Sequence, residues 1–215
     1  NETSLAEVQK RQNLHLDLLD VVHTIQAHGL EVQSGMILGF DHDLLDIFDL
    51  QIDFLQKSGI ANALVSILFA FPDTALYNRL KQEKRLLDYE VGNSVHGALN
   101  FRPQMPAETL IAGYKRVLQT LYTPSNYYNR LEIFLRHYRP APRRLQLKFS
   151  QWGMILRAVF HMGVLDSWRG RFWALLFQAF LKGQDAAVAY LRLALMGYFL
   201  RRDIAEYTPM PSLGL

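Results

Sequence analysis

The sequence predicts an α/β region followed by an all-helical region, and three observations lead to this fold class. Two short apolar runs, residues 32–38 and 63–71, lie between helical patterns, as buried parallel strands do. The runs begin about 31 residues apart, which is the length of one right-handed βαβ unit. From Pro106 onward, apolar residues recur only at the spacing of amphipathic helices.

Capping signals divide the α/β region into its elements. Gly29 is expected to end the helix before the first strand in a left-handed conformation. Asp43 is predicted to be the N-cap of the next helix, with Asp46 in the capping-box position and Gly59 at the helix end. After the second strand, a Pro-Asp-Thr turn leads into a third helix over residues 75–84.

Proline and aspartate residues mark the helices of the second region. Pro106 lies in the first turn of one helix, and Thr123 caps the next. A basic linker follows over residues 139–144. We predict three more helices near residues 145–163, 167–182 and 185–206, with Asp166 and Asp185 as N-caps, before a loose tail over residues 208–215.

Composition limits the classes of protein to which the chain can belong. Half of the 215 residues are apolar and 20% are charged, which excludes a disordered chain. The absence of cysteine excludes a disulfide scaffold, a cysteine nucleophile and an iron–sulfur cluster held by this chain alone. It is compatible with a cytoplasmic protein. Because the chain starts at Asn1 within a helical pattern, we expect it to be part of a longer protein, with the remaining strands upstream.

Charge and aromatic residues are distributed unequally along the chain. Residues 1–100 contain 7 Lys/Arg and 14 Asp/Glu, whereas residues 101–215 contain 16 Lys/Arg and 6 Asp/Glu. The second part also contains 19 of the 26 aromatic residues. This asymmetry indicates two regions with different partners.

Two segments that follow the predicted strands are candidates for binding chemistry. Residues 35–40 read Gly-Met-Ile-Leu-Gly-Phe at the carboxyl end of the first strand, where α/β sheets bind ligands and glycines allow a close approach. Residues 71–77 read Phe-Pro-Asp-Thr-Ala-Leu-Tyr after the second strand. The alternatives are a tight strand-to-helix turn for the first segment, and for the second a turn with Leu76 and Tyr77 packed on the sheet.

Together the two segments resemble the radical S-adenosylmethionine superfamily. Its fifth strand carries Gly-x-Ile-x-Gly-Phe, and one βα unit later comes Pro-Gly-Thr-x-Leu-Tyr, where this chain has Asp73 in place of the second residue. Residues 1–5 and 12–13 are similar to the helix that follows the fourth strand. Residues 100–103 (Asn-Phe-Arg-Pro) and 195–201 are similar to the C-terminal extension of the cobalamin-binding members, which include hopanoid methylases.

The resemblance implies a fold in three parts. Residues 1–90 form the C-terminal βα units of a partial (β/α) barrel, similar to a TIM barrel. Residues 91–105 are an irregular connector, and residues 106–215 are the helical C-terminal extension. The upstream part of the same polypeptide is then the main partner.

The resemblance also implies an activity. S-adenosylmethionine is cleaved to a carbon radical, followed by methyl transfer or rearrangement on an unactivated carbon. The family holds a [4Fe–4S] cluster on Cys-x-x-x-Cys-x-x-Cys, so the cluster and any cobalamin would be ligated outside this chain. This chain would supply contacts to adenosine and cover the substrate, with neither a catalytic residue nor a metal ligand. The implied adenosine-binding residues are Gly35, Ile37, Gly39, Phe40, Leu68, Phe69, Ala70 and Phe71.

Structural roles explain the histidines and the aspartates better than metal binding does. His23 and His28 are five residues apart, which does not place them on one metal-binding face of a helix. Asp41, Asp43 and Asp46 lack the calcium-loop pattern, and helix capping explains them better.

The basic and aromatic helices leave three interpretations open. In the first, Arg side chains cover apolar helix faces while Trp152, Trp168 and Trp173 fill a core. In the second, the apolar segments at residues 175–177 and 190–195 contact a membrane surface or a lipid substrate. Nucleic-acid binding is the least favoured, because no reader motif is present. The alternative to an enzyme is therefore a non-catalytic module that binds a membrane surface or a protein partner.

Overall fold

A computed structural model describes residues 17–87, 99–140, 156 and 159–206. Within these residues, two βα units are followed by helices alone, which confirms the predicted change from α/β to all-α. The elements in chain order are α1 Leu18–Ala27, β1 Ser34–Leu38, α2 Ile47–Ser58, β2 Ala63–Ile67, α3 Ala75–Gln82, α4 Ala107–Leu121, α5 Pro124–His137, a π-helical turn His161–Leu165, α6 Arg169–Leu181 and α7 Gln184–Glu206.

Strands β1 and β2 are adjacent and parallel, as predicted. Ser34 lies opposite Ala63 and Leu38 opposite Ile67, with α2 as the crossover between the strands. Both strands are shorter than their apolar runs. The chain leaves β1 at Gly39, where φ is +100°, and pairing ends just beyond Ile67.

The two faces of this sheet differ in exposure. Leu38, Val65 and Ile67 are buried on the face that packs against α2 and α4. On the opposite face, Ile37 is 40% and Leu64 72% exposed. The sequence predicts buried strands, but within the described residues only one of their two faces is covered. We call the uncovered side the open face.

Helix α2 starts later than predicted. It begins at Ile47 rather than at Asp43, and Asp46 in the N-cap position makes no capping bond with its side chain. The reason is that the Asp43 carboxylate accepts hydrogen bonds from the backbone N–H groups of Gly39 and Phe40 instead. Asp43 therefore closes the preceding loop, and the capping-box prediction is wrong.

The other helix boundaries agree with the sequence more closely. Gly29 and Gly59 have φ angles of +77° and +68°, as expected of left-handed helix ends. Neither aspartate is the N-cap that the sequence predicts. Asp166 accepts a bond from the Trp168 N–H, but Trp168 itself is the N-cap of α6, and Asp185 lies within the first turn of α7. Most of the helix predicted near residues 145–163 and the tail over 208–215 lie outside the described residues.

One hydrophobic core connects the sheet with the helices that follow it. Its buried members come from nearly every element and include Val22, Leu38, Leu55, Leu110, Leu131, Phe172, Tyr190 and Ala194. A hydrogen bond also connects the sheet with the helical region, because the Tyr122 hydroxyl after α4 donates to the carbonyl of Ala63 in β2 at 2.7 Å. The helical extension and the end of the sheet therefore share one interior.

A fully buried arginine lies inside this core. The guanidinium of Arg130 on α5 lies over the rings of Tyr122 and Tyr127, at 5.5 and 5.2 Å from their centroids. Its Nη1 donates to the carbonyl of Leu121 at 2.7 Å, and it forms no ion pair within the described part of the chain. Burial lowers the pKa of Arg130 and raises the pKa of Tyr127 above its ordinary value.

Gly197 in the C-terminal motif is explained by close packing. A Cβ atom at this position would come within 2.1 Å of the Tyr127 ring. The Tyr127 hydroxyl also donates to the carbonyl of Leu193 on the same helix, α7, at 2.6 Å. Glycine here lets α5 and α7 approach each other, so this part of the motif has a structural role.

Candidate functional site

The two motif segments lie side by side at the carboxyl end of the sheet. The N–H of Leu68 donates to the carbonyl of Leu38 at 2.8 Å, immediately beyond the last paired residues. Residues 39–40 and 68–69 therefore leave the sheet next to each other. This is the position at which open α/β sheets bind ligands.

The first motif turns tightly around Gly39. The carboxylate of Asp43 accepts from the N–H groups of Gly39 and Phe40 at 2.9 and 3.0 Å, which fixes the loop. The φ angle of +100° favours glycine, and a Cβ atom here would lie 2.8 Å from the side chain of Leu110 on α4. Gly39 is therefore required by the fold, and its missing side chain would point toward α4.

Gly35 differs from Gly39 in its surroundings. A Cβ atom at Gly35 would have no atom within 4 Å, because this glycine lies exposed on the open face. The neighbouring positions on that face are Ile37, Leu64 and Ser66, which pair in register across the two strands. These four positions contain no titratable side chain, so the face suits an apolar or aromatic partner.

An ion-pair network fixes the loop that follows the first motif. Arg85 forms a two-bond pair with the carboxylate of Asp41, with Nη2–Oδ1 and Nη1–Oδ2 distances of 2.7 and 3.0 Å. Arg79 on α3 donates to the same carboxylate at 3.1 Å, and Glu83 accepts from Arg85. The hydrogen bond from Arg85 lowers the pKa of Asp41 below its ordinary value. The network joins the loop after β1 to the segment after β2.

Asn100 performs the corresponding role for the second motif. Its side-chain amide accepts from the Ala70 N–H at 3.0 Å and donates to the Ala70 carbonyl at 2.7 Å. The next residue, Phe101, belongs to a small buried cluster with Leu68, Ala70 and Leu80. The Asn-Phe-Arg-Pro segment therefore holds the chain beyond β2 in place.

The departure from the family pattern at Asp73 leaves the turn intact. Asp73 has a φ of +65°, the left-handed conformation that glycine adopts easily and that Asp tolerates better than most residues. Thr74 then caps α3, since its hydroxyl oxygen accepts from the Tyr77 N–H and donates to the carbonyl of Phe71 at 2.7 Å. The second motif is thus a capped turn, as its structural alternative also predicts.

The structure brings all predicted adenosine-binding residues to one region but buries half of them. Gly35, Ile37 and Phe71 are exposed, and Phe40 is partly buried. The buried members are Gly39, Leu68, Phe69 and Ala70. Asn100 already bonds the N–H and the carbonyl of Ala70, so these two groups are not available to a ligand. The surfaces most open to a ligand are those of the exposed residues Gly35, Ile37 and Phe71. The assignment to adenosine stays a prediction.

The sequence predicted no role at this site for four polar residues that shape it, namely Asp41, Arg79, Arg85 and Asn100. The sequence around Asp41 indicates only helix capping, and the two arginines lie 38 and 44 residues from it in the chain. Asn100 was marked only by the resemblance. A sequence signal existed for this residue alone.

Two of the histidines, His23 and His137, contact each other. The imidazole of His23 on α1 stacks on that of His137 on α5, with ring centroids 3.7 Å apart. In the described residues, no group of three His, Asp or Glu side chains is placed to hold a metal ion.

The basic and aromatic helices match neither the core interpretation nor the membrane interpretation completely. Trp168 packs against the core, whereas Trp173 is 46% exposed, and Trp152 lies outside the described residues. Arg171 pairs with Glu132, and Arg192 pairs with Glu31. The segments expected to contact a membrane are in large part internal, since the core includes Leu175, Tyr190, Leu193 and Ala194. No described helix is both long and apolar enough to cross a membrane.

Comparisons with known proteins identify relatives of the chain. A family profile described as a domain of unknown function, DUF4070, matches residues 74–208. An uncharacterized methyltransferase of Synechocystis sp. is 33% identical over 80% of this chain and 33% of its own length. No solved structure shows a significant match.

Two further relatives have more informative names. The hopanoid C-2 methylase of Rhodopseudomonas palustris is 26% identical over 84% of this chain and 35% of its own length. The bacteriochlorophyllide d C-12(1)-methyltransferase of Chlorobaculum tepidum is 25% identical over 61% of this chain and 29% of its own length. The chain thus spans about a third of the length of each of these relatives. Together with the profile match, they confirm the resemblance drawn from the sequence, and the chain belongs to the DUF4070 family, the C-terminal domain of cobalamin-binding radical S-adenosylmethionine methylases.

Proposed function

We propose that this chain is the C-terminal part of a cobalamin-dependent radical S-adenosylmethionine methyltransferase. In the whole protein, it would supply adenosine contacts and cover the substrate during methyl transfer to an unactivated carbon. The names of the relatives support methyl transfer, and the motif segments support the place of this chain in the reaction.

The open face of the sheet is the observation that carries the proposal. Ile37 and Leu64 are large apolar side chains exposed on a strand face, which is costly unless another surface covers them. In a (β/α) barrel, one face of each strand packs on helices and the other faces the barrel interior. The face covered by α2 and α4 matches the outer side, so the open face would be the inner side, completed by upstream strands.

The residues present fit adenosine but not the iron–sulfur cluster. The open face offers Gly35 for close backbone approach and Ile37 for apolar contact with an aromatic ring. The chain has no cysteine to ligate iron, so the cluster ligands must come from elsewhere in the polypeptide. When bound, the cluster and cobalamin supply the redox and methyl-transfer chemistry.

The roles left to this chain are binding and positioning. Gly35 and Ile37 would contact the nucleoside, while the Asp43 carboxylate holds the loop that ends β1. The Asp41–Arg85 pair and the Asn100–Ala70 bonds would keep the two motif segments at a fixed separation. By itself, the chain would not turn over S-adenosylmethionine.

Gly35→Val in the full-length parent tests the adenosine contact. The added side chain meets no atom of this chain and valine favours strands, so the 215-residue chain should fold as well as the wild type. In the parent, we expect S-adenosylmethionine to bind roughly tenfold more weakly by calorimetric titration, because the branched side chain occupies the open face. Leu50→Val, which alters an exposed residue of α2, is the control.

An unchanged dissociation constant in a Gly35→Val parent with full cluster content would remove the open face from the adenosine site. A second measurement concerns the cluster. The 215-residue chain incubated with iron and sulfide should develop no brown absorbance, because it has no thiolate ligand. A stable cluster on this chain would contradict the proposed division of roles.

A further inference from the structure

A group of exposed apolar side chains lies on α6. Arg169, Trp173, Phe177 and Leu181 follow one another at intervals of four residues, so they share one side of the helix. Phe177 and Leu181 are 66% and 74% exposed. Phe172, Leu175 and Ala179 on the opposite side are buried in the core. Helix α6 is therefore apolar on both sides, and its second side lacks cover within the described residues.

The surface continues onto the neighbouring π-helical turn. The Trp173 indole N–H donates to the carbonyl of Gly163 at 2.8 Å, which places its ring against that turn. Val164 and Leu165, next in sequence, are both exposed, as is Phe160 just before the turn. We call the side chains of Phe160, Val164, Leu165, Trp173, Phe177, Phe180 and Leu181 the α6 patch.

Charge identifies the partner that fits this surface. The described residues 159–182 contain three cations, Arg169, Arg171 and Lys182, and one acidic residue, Asp166, which is itself paired with Arg201. Arg169 lies on the same line of α6 as the apolar side chains and is exposed. A helix with aromatic and aliphatic residues on its outer side and nearby cations, but few acids, suits the interface of an anionic bilayer.

We propose that the α6 patch is a peripheral membrane-binding surface that inserts into the interface of an anionic lipid bilayer. Phe177, Phe180 and Leu181 would enter the boundary between headgroups and acyl chains, with Trp173 at headgroup depth. Arg169 would face the lipid phosphates. This inference goes beyond the proposed function and does not depend on it, since it concerns the opposite end of the chain from the sheet motifs.

Vesicle co-sedimentation of the 215-residue chain tests the proposal. We expect binding to vesicles of phosphatidylcholine mixed with phosphatidylglycerol and weaker binding to phosphatidylcholine alone. Salt near 1 M should reduce the difference, because it shortens the Debye length to about 3 Å. Tryptophan emission should shift to the blue on binding, as the Trp173 ring leaves water.

Paired variants locate the surface. Phe177→Gln/Leu181→Gln should lower the vesicle partition coefficient by roughly tenfold or more, because two large apolar side chains no longer enter the bilayer. Both positions are exposed and glutamine favours helices, so folding should be unaffected by circular dichroism. Leu44→Gln/Leu45→Gln, which removes two similarly exposed leucines outside the patch, should bind as the wild type does.

Three results would overturn the proposal. The first is a wild-type chain that does not bind anionic vesicles. The second is equal loss of binding in the Leu44/Leu45 and Phe177/Leu181 variants. The third is a concentration-dependent dimer in analytical ultracentrifugation that the Phe177/Leu181 variant abolishes, together with vesicle binding that it leaves unchanged. That last result would assign the α6 patch to a second copy of the chain.

Discussion

The side chain of Asn100 forms two hydrogen bonds to one residue, Ala70, accepting from its N–H and donating to its carbonyl. The two residues are 30 positions apart, and both are buried. In this way an amide side chain continues the pairing beyond the end of β2, where no strand residue of the described chain does so. The bonds fix the course of the second motif relative to the helical extension.

Asn100→Ala should therefore destabilise the chain by about 2 kcal/mol, because it leaves two buried backbone groups without partners. Urea unfolding of the 215-residue chain measures this loss, which should appear as a lower midpoint at unchanged slope. Asn78→Ala, at an exposed position of α3, should change the free energy of unfolding by less than about 0.5 kcal/mol. Equal losses in both variants would contradict a special role for Asn100.

Asp41 should make the stability of the chain sensitive to acid. The Arg85 hydrogen bond lowers the pKa of Asp41 in the folded state. Asp41 therefore contributes stability at pH values above its pKa in the unfolded state, near 4, and this contribution disappears as the pH falls through its pKa in the folded state. Asp41→Asn should cost about 1 kcal/mol at pH 7 and less than that at pH 3, in unfolding experiments at both pH values. Asp53→Asn is the control variant, because it removes an exposed ion pair, that of Asp53 with Lys57. A constant loss at both pH values would mean that the ion pair is not its source.

Arg130 allows the roles of volume and charge in the core to be separated. Arg130→Ala should lower the free energy of unfolding by about 3 kcal/mol, because it leaves a cavity beneath the Tyr122 and Tyr127 rings. Arg130→Met keeps most of the volume and removes a buried charge, so it should stay within about 1 kcal/mol of the wild type. Thermal and urea unfolding of both variants distinguish the contribution of side-chain volume from that of the charge. If methionine costs as much as alanine, the cation itself is required.

The stacked imidazoles of His23 and His137 predict a second pH dependence, near neutrality. Burial lowers the pKa of His137 below 6.5, with further contributions from His23, Lys182 and Arg136. A histidine whose pKa is lowered in the folded state contributes stability at pH values above its pKa in the unfolded state. This contribution is lost as the pH falls toward its pKa in the folded state. The melting temperature should thus decrease between about pH 8 and pH 5, and the decrease should be smaller in His137→Gln. His28→Gln, at an exposed position, should retain the wild-type dependence.

Periodicity and apolar runs predicted most of the architecture correctly. The parallel β1–β2 pair and the glycine-terminated helices followed from local patterns that the fold preserves. The start of α2 was predicted wrongly because Asp43 had two backbone partners available, and the loop N–H groups of residues 39–40 compete with the helix for its carboxylate.

The polar contacts of the candidate site were beyond prediction for a different reason. The Asp41–Arg85 pair joins residues 44 positions apart, and no local spacing connects them. The same applies to the α6 patch, since a helix that is apolar on both sides does not reveal which side faces the core. Here the sequence interpretation chose Leu175, which is buried, together with Phe177, which is exposed.

The hydroxyl of Tyr122, bonded to the first residue of β2, has a consequence for exchanging parts between relatives. The profile match begins at residue 74, between the strand and the tyrosine that bonds to it. A chimera that joins one relative to another at residue 74 would take β2 from one protein and the tyrosine that bonds to it from the other. Grafts that begin upstream of α2 would carry both partners together, and hybrid proteins made in this way should be recovered in folded form more often.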